Sequence, residues 1–185
     1  YAHAEREITA DDCRWMASLP RLIRFTLAGR CLAALHGGAS AINRWVFAST
    51  PAAEKHAEAA QAGAEGIVAG HCGLPFVDLS GGGLWCNAGT VGLPANDGTP
   101  RVWYAILAPE RQGAISVSIC DLAYDYSRAA QKMRLAGLAD GYARALETGL
   151  LPPSDILPPA ERVVAGRALT TTRNFWMVAE RAAAE

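Results

Sequence analysis

Apolar residues in this chain come in short runs broken by glycine, and that punctuation restricts it to short strands and modest helices. Arg, Lys, Glu, Asp or Pro interrupts every candidate well before the roughly 18 apolar residues of a membrane span, so no membrane partner is expected. Residues 22–27 and 31–35 are β-compatible runs around Ala28-Gly29-Arg30, which reads as a hairpin with glycine supplying the turn. Gly66-Ile67-Val68-Ala69-Gly70 is too short for a helix and reads as a buried strand ending at His71. Strands are also expected over 76–79, 84–87, 101–107 and 114–120.

Helical signals lie between and after these runs. Asp11-Asp12 can cap a short helix through Trp15 and Met16 that Pro20 ends. Residues 40–47 are ambiguous, with Ile42, Trp45 and Val46 at helical spacing. Ser49-Thr50-Pro51 followed by Glu54 predicts a capped helix running to Ala62 and stopped by Gly63. A pair of helices is expected over 127–136 and 140–148, separated by Gly137. Four prolines make 150–159 an extended tail, and a last helix is expected over 172–184. The division is therefore 1–149 as the main body and 150–185 as a tail with a terminal helix, with 149–166 the best linker candidate.

Composition narrows the function. The 185 residues are one domain's worth of chain, 51% hydrophobic and 19% charged, and 17 basic residues face 18 acidic ones for a net charge of -1. Neither the basic footprint of a nucleic-acid binder nor the hydrophobe-poor composition of a disordered chain is present. A nucleic-acid duplex is not an expected partner. Five cysteines without a C-x-x-C spacing argue against a zinc ribbon or a disulfide framework and for a reducing, cytoplasmic compartment. The sequence opens on Tyr1, and the translated N-terminus is expected to lie upstream.

Two of the four histidines share one kind of position. His36 and His71 each follow a short buried strand and are flanked by Gly37, Gly38, Gly70 and Gly73. Loops converge on ligands at the carboxyl ends of strands in α/β sheets, and neutral imidazole is a common ligand for Zn, Fe, Ni or Mn. The alternative is two half-buried histidines bonded to backbone carbonyls. His3 and His56 sit among polar neighbours and read as solvated. Trp45, Phe47, Phe76 and Trp85 can stack a base or sugar or simply fill the core. Arg44 is a candidate phosphate contact or a solvated helix residue.

Three ordered motifs carry a resemblance. Gly70-His71-Cys72-Gly73-Leu74-Pro75-Phe76 resembles the G-H-[TS]-H-x-P-F element of calcineurin-like metallophosphoesterases. Leu35-His36-Gly37-Gly38 is similar to the family's preceding strand ending in His-Gly, and Asn87-Ala88-Gly89-Thr90-Val91-Gly92-Leu93-Pro94 to its N-P-G-S-V-G-x-P loop. The resemblance covers about residues 19–149. It implies part of a four-layer αββα sandwich of mixed sheets flanked by helices, with two divalent transition metal ions (Mn, Fe, Ni or Zn) at one edge. It further implies that His36 and His71 ligate one metal, that Cys72, Gly73 and Asn87 line the site, and that Asn87 and Gly89 shape a turn; Arg44, as a candidate phosphate contact, is expected to line the site with them. The chemistry implied is hydrolysis of a small phosphoester by a metal-bridged hydroxide.

The sequence departs from that pattern in two ways. Gly73 stands where the family has a second histidine, and the D-x-H, G-D and G-N-H-[DE] elements are absent. Cys72 is a substitute ligand, a buried inert thiol, or a nucleophile beside His71, the last requiring a geometry that adjacent residues rarely reach. No catalytic residue is assigned. The remaining ligands are expected from an N-terminal portion of the same fold, in the same gene product or a separate chain. The other expectation is a degenerate, non-catalytic binding or scaffold module. A homo-oligomer is left open.

Overall fold

The structure is a computed structural model that describes residues 2–152 and 155–177. Its centre is a five-stranded sheet in the order β1-β2-β3-β5-β4, built from β1 (Leu22–Leu27), β2 (Arg30–Leu35), β3 (Gly66–Ala69), β4 (Phe76–Asp78) and β5 (Leu84–Asn87). Strands β2, β3 and β5 run parallel, and β1 and β4 pair antiparallel at the two edges. The β1–β2 hairpin closes on a two-residue turn, Ala28 and Gly29, both with positive φ. That is the turn whose twist matches the flanking strands.

The parallel pair β2–β3 requires a crossover, supplied by α3 (Ala52–Ala62). The helix starts and stops where the sequence indicates, with Gly63 in the left-handed conformation at its end. The expected hydroxyl cap is not made. Pro51 occupies the N-cap position, and the Thr50 hydroxyl instead accepts from the Phe47 N–H at 2.9 Å. Near the N-terminus, after α1 (Ala2–Glu7), α2 (Ala10–Ser18) is capped by Thr9 rather than by Asp11 or Asp12. Asp12 takes the third helical position and bonds back to Thr9, completing a capping box.

A second sheet, β6 (Val102–Pro109), β7 (Ile115–Leu122) and β8 (Thr172–Trp176), is antiparallel throughout. Strand β8 corrects the expected helix over 172–184: residues 172–176 pair with β7, and residues 178–185 lie outside the described part. The strand wins because Trp176 enters the core between the sheets. Its indole donates to the Gly82 carbonyl at 2.8 Å and packs beneath Arg30, 3.3 Å from guanidinium to ring centre. The ambiguous residues 40–47 form turns and irregular backbone instead of a helix.

The pleat sorts the first sheet's side chains into two cores. Leu32, Val68, Leu84 and Cys86 face the second sheet and meet Trp103, Ile115, Val117, Ile119 and Trp176. Ala33, Ile67 and Trp85 face the other way and pack with Val46 and the α3 residues Ala59 and Ala62. Helices α4 (Tyr126–Leu135) and α5 (Asp140–Thr148) pack on each other through Ala130, Ala143 and Leu146 and on Leu93. Residues 149–166, expected as a linker, include a short helix, α6 (Pro159–Val163). Its Glu161 is buried and accepts from the Ser49 N–H and hydroxyl at 3.0 and 2.8 Å.

Candidate metal centre

The parallel strands β2, β3 and β5 end side by side, so the residues that follow them converge. Backbone bonds carry the alignment one step past the strands: Gly70 N–H donates to the His36 carbonyl at 2.9 Å, and Ala88 N–H to the Ala69 carbonyl at 3.1 Å. His36 and His71, 35 positions apart in sequence, come together there. His71 Nδ1 lies 2.9 Å from His36 Nε2, with ring centres 4.7 Å apart. His71 has a left-handed φ of 61°, uncommon for a residue with a side chain and typical of functional sites. Its other nitrogen, Nε2, is buried without a hydrogen-bond partner among the described residues.

Burial, and then the charge of His36, hold the His71 pKa below its ordinary 6.5. The ring is thus neutral near pH 7, the form that ligates metal. Nitrogens 2.9 Å apart suit either one imidazole N–H donating to the other or two lone pairs turned to one ion, since metal–nitrogen bonds of about 2.0–2.1 Å put their nitrogens about 2.9 Å apart at a right angle and about 3.3 Å apart at the tetrahedral angle. The donor pair fits a transition metal. Two donors do not complete a coordination shell, and among the described residues no group of three His, Cys, Asp or Glu side chains can hold a metal ion.

Asn87 ties the histidine loop to the loop after β5. Fully buried, it donates from Nδ2 to the Gly70 carbonyl at 2.5 Å and to Cys72 Sγ at 3.0 Å, and its Oδ1 accepts from Gly89 N–H at 3.0 Å. Burial pushes the Cys72 thiol up to about 11, so it is protonated at neutral pH and directed to the Leu74 carbonyl at 3.6 Å. A neutral, buried thiol is not a ready nucleophile. Gly73 has a φ of 72°, a conformation that a histidine there would rarely adopt, although a Cβ would meet only Thr90 at an ordinary 3.6 Å.

Arg44 does not line the site. Its guanidinium bridges Glu54 at 2.6 Å and Glu58 at 2.8 Å on α3. Glu58 is a residue that sequence reasoning missed. It is 3% exposed, accepts from the backbone and hydroxyl of Ser40 as well as from Arg44, and so folds residues 38–45 back over α3. Burial works to raise its pKa, but the Ser40 hydrogen bonds, the Ala39 backbone and the Arg44 charge together hold it below the ordinary value. Gly37 assists, because a Cβ there would strike the carbonyls of Arg44 and Ile42 at 2.6 and 2.7 Å. The folded loop delivers Trp45 onto His71, ring centres 3.9 Å apart. No local signal pairs a loop arginine with a helix glutamate 14 positions later.

A cavity of about 500 Å³ opens beside the histidines, bounded by the loops after β3 and β5, by Tyr142 of α5 and by Leu151, Pro152, Ile156 and Leu157. It contains His36, His71, Cys72 and Gly73 in its walls. Among the described residues no helix is long and apolar enough to cross a membrane.

No protein-family model matches the sequence, and neither does any curated protein. Solved structures do resemble it. A metallophosphoesterase from Sphaerobacter thermophilus superposes with a TM-score of 0.62 at 22% identity, over 78% of this chain and 64% of that one. A hypothetical protein from Pyrococcus horikoshii OT3 gives a TM-score of 0.57 at 13% identity, over 80% of this chain and 57% of the other. The chain thus spans less than two thirds of the length of either structure. With a mixed five-stranded sheet facing an antiparallel three-stranded one and a flanking helix, the chain has the metallophosphoesterase fold.

Proposed function

We propose that this chain contributes to a metal-dependent phosphoesterase that hydrolyses a small phosphoester. The single observation that carries the reading is the His36–His71 pair, two imidazoles set 2.9 Å apart at the ends of neighbouring parallel strands beside an open cavity. His36 Nε2 and His71 Nδ1 hold a divalent Mn, Fe, Ni or Zn ion, one of two in the complete site. Such ions supply an activated hydroxide and charge stabilisation for in-line displacement at phosphorus. The remaining ligands come from a further portion of the same fold, in the same gene product or in a separate chain. Asn87 keeps the His71–Gly73 loop in place, and Trp45 shields one side of the His71 ring from water.

A second reading is a non-catalytic binding or scaffold module. It is favoured by the left-handed Gly73 at the position of the motif's second histidine and by the two-donor limit. One experiment separates the two. The full gene product is loaded with manganese, nickel or zinc, its metal content is measured, and hydrolysis of bis(p-nitrophenyl) phosphate is followed for wild type, His36→Ala and His71→Ala. Metal binding and hydrolysis that both fall in the variants support the phosphoesterase. Metal binding that falls without any hydrolysis in the wild type supports the second reading, and metal content indifferent to both histidines refutes the metal centre.

A further inference from the structure

The residues around the histidine pair say what the substrate carries. Of the aromatic side chains near the site, Trp85 and Phe47 are 2% and 3% exposed and belong to the core, whereas Trp45 is 42% exposed. A tryptophan gives up a large apolar area to water in that position. It is also held ready: one side leans on His71, the buried Phe47 ring lies parallel to it at 6.1 Å, and its neighbour Arg44 is pinned to α3 by Glu54 and Glu58. A preorganised aromatic loses little conformational freedom when a ligand stacks on it.

The adjoining cavity has the volume of a small-molecule site, within the roughly 300–1,000 Å³ of ligand pockets. Leu93, Pro94, Ile156 and Leu157 make its wall apolar, and the Thr90 and Tyr142 side chains add hydroxyls. No lysine or arginine is among the described residues that line it. A dianionic phosphomonoester would therefore find no side-chain cation among the described residues of the cavity. A monoanionic diester with a flat, apolar-faced substituent matches the wall better.

We infer that the cavity takes the aromatic substituent of a phosphodiester, stacked on Trp45 beside the histidine pair, with Trp45 the residue that sets specificity. The inference rests on the phosphoesterase reading for the place of the phosphorus, but the stacking itself needs no metal. The aromatic group is a nucleobase or a simple aryl ring, which share the flat π-face and differ in the polar edge that Thr90 and Tyr142 can meet.

The test is binding under chelator, read by saturation-transfer NMR and titration on the wild-type chain, with thymidylyl-thymidine, diphenyl phosphate, diethyl phosphate and phenyl phosphate as probes. The two aromatic diesters are expected to bind and diethyl phosphate to fail. Tighter binding of thymidylyl-thymidine identifies a nucleobase pocket, and tighter binding of diphenyl phosphate an aryl one. Trp45→Ala is expected to weaken the aromatic diesters about tenfold or more, and Trp45→Phe to restore most of the loss. Circular dichroism establishes that both variants are folded, and Trp45→Phe serves alone if Trp45→Ala is not. Diethyl phosphate binding as tightly as diphenyl phosphate, phenyl phosphate binding more tightly than either aromatic diester, or unchanged affinity in Trp45→Ala overturns the inference. If aromatic diesters bind through Trp45 but the metal-loaded full gene product hydrolyses none, the phosphoesterase reading fails and the stacking site stands.

Discussion

Replacing Asn87 tests whether its buried amide holds the two loops of the site together. Asn87→Ala removes the bonds to Gly70, Cys72 and Gly89. The Gly70 carbonyl keeps the Cys72 N–H at 2.8 Å, so the Gly89 N–H is the backbone group left without its partner. An orphaned donor costs about 1–3 kcal/mol when buried, toward the lower end for the partly buried Gly89, and a lost neutral hydrogen bond about 1 kcal/mol net, so together with the void left behind the deficit is about 3 kcal/mol. Asn87→Asp differs in sign with pH. Its carboxylate still accepts from Gly89 N–H but sets an anionic oxygen against the Gly70 carbonyl, and only the protonated acid can donate there. Burial and that bond raise the folded pKa above the unfolded value of about 3.9, so the folded state holds the proton more tightly and the deficit grows as pH rises. Urea unfolding of wild type and both variants at pH 5 and pH 8 reads this directly. The alanine deficit stays flat and the aspartate deficit is larger at pH 8. A deficit below 0.5 kcal/mol in both (roughly the scatter of ordinary surface changes), or an aspartate deficit indifferent to pH, refutes the cross-brace.

Three further outcomes follow from local geometry. Lys55, 3% exposed, donates to Asp78 and to the Ala48 carbonyl at 2.6 and 2.9 Å. Burial acts to raise the Asp78 pKa, but Lys55 and the Ser80 bonds outweigh it and bring the carboxyl from 3.8 down to about 2. A folded pKa below the unfolded one gives stability that is present above 3.8 and lost as pH falls through about 2, on the order of 2 kcal/mol. Asp78→Asn abolishes that acid limb in a pH series of thermal melts, while stranding the buried ammonium lowers Tm at pH 7. Gly149 has a φ of 73° and would place a Cβ 2.1 Å from the Thr99 nitrogen, whereas Gly137, at 66°, faces open space. Gly149→Ala is expected to cost more than about 3 kcal/mol and Gly137→Ala about 1 kcal/mol by denaturant unfolding. Burial raises the Cys72 and Cys86 thiols to about 11 and about 12, and Cys13 is exposed. Timed alkylation followed by peptide mapping therefore labels Cys13 first and reaches Cys72 and Cys86 only on denaturation; early labelling of Cys72 contradicts the buried thiol.

What the sequence made legible was local. The β1–β2 hairpin, α3 up to Gly63 and the short β3 run are each specified within a dozen residues by periodicity and turn chemistry. Strand β8 was not, because Thr172–Trp176 has no alternation of its own and becomes a strand through β7, Gly82 and Arg30, all distant in sequence. The same distinction runs through the site. Each histidine could be placed past a strand end from its own neighbours, but the 2.9 Å meeting of their rings depends on β2 and β3 pairing in parallel. Trp45 lies in a stretch whose own spacing, with Ile42 and Val46, is ambiguous, and Glu58 resolves it by recruiting Ser40 and Arg44 and setting the loop in turns. Three carboxylate bonds to that loop outweigh the weak helical preference of so few residues, since a helix this short gains little from its own hydrogen bonds. The position of the exposed indole against His71 is therefore set by a buried glutamate on the crossover helix that is not itself among the residues lining the cavity.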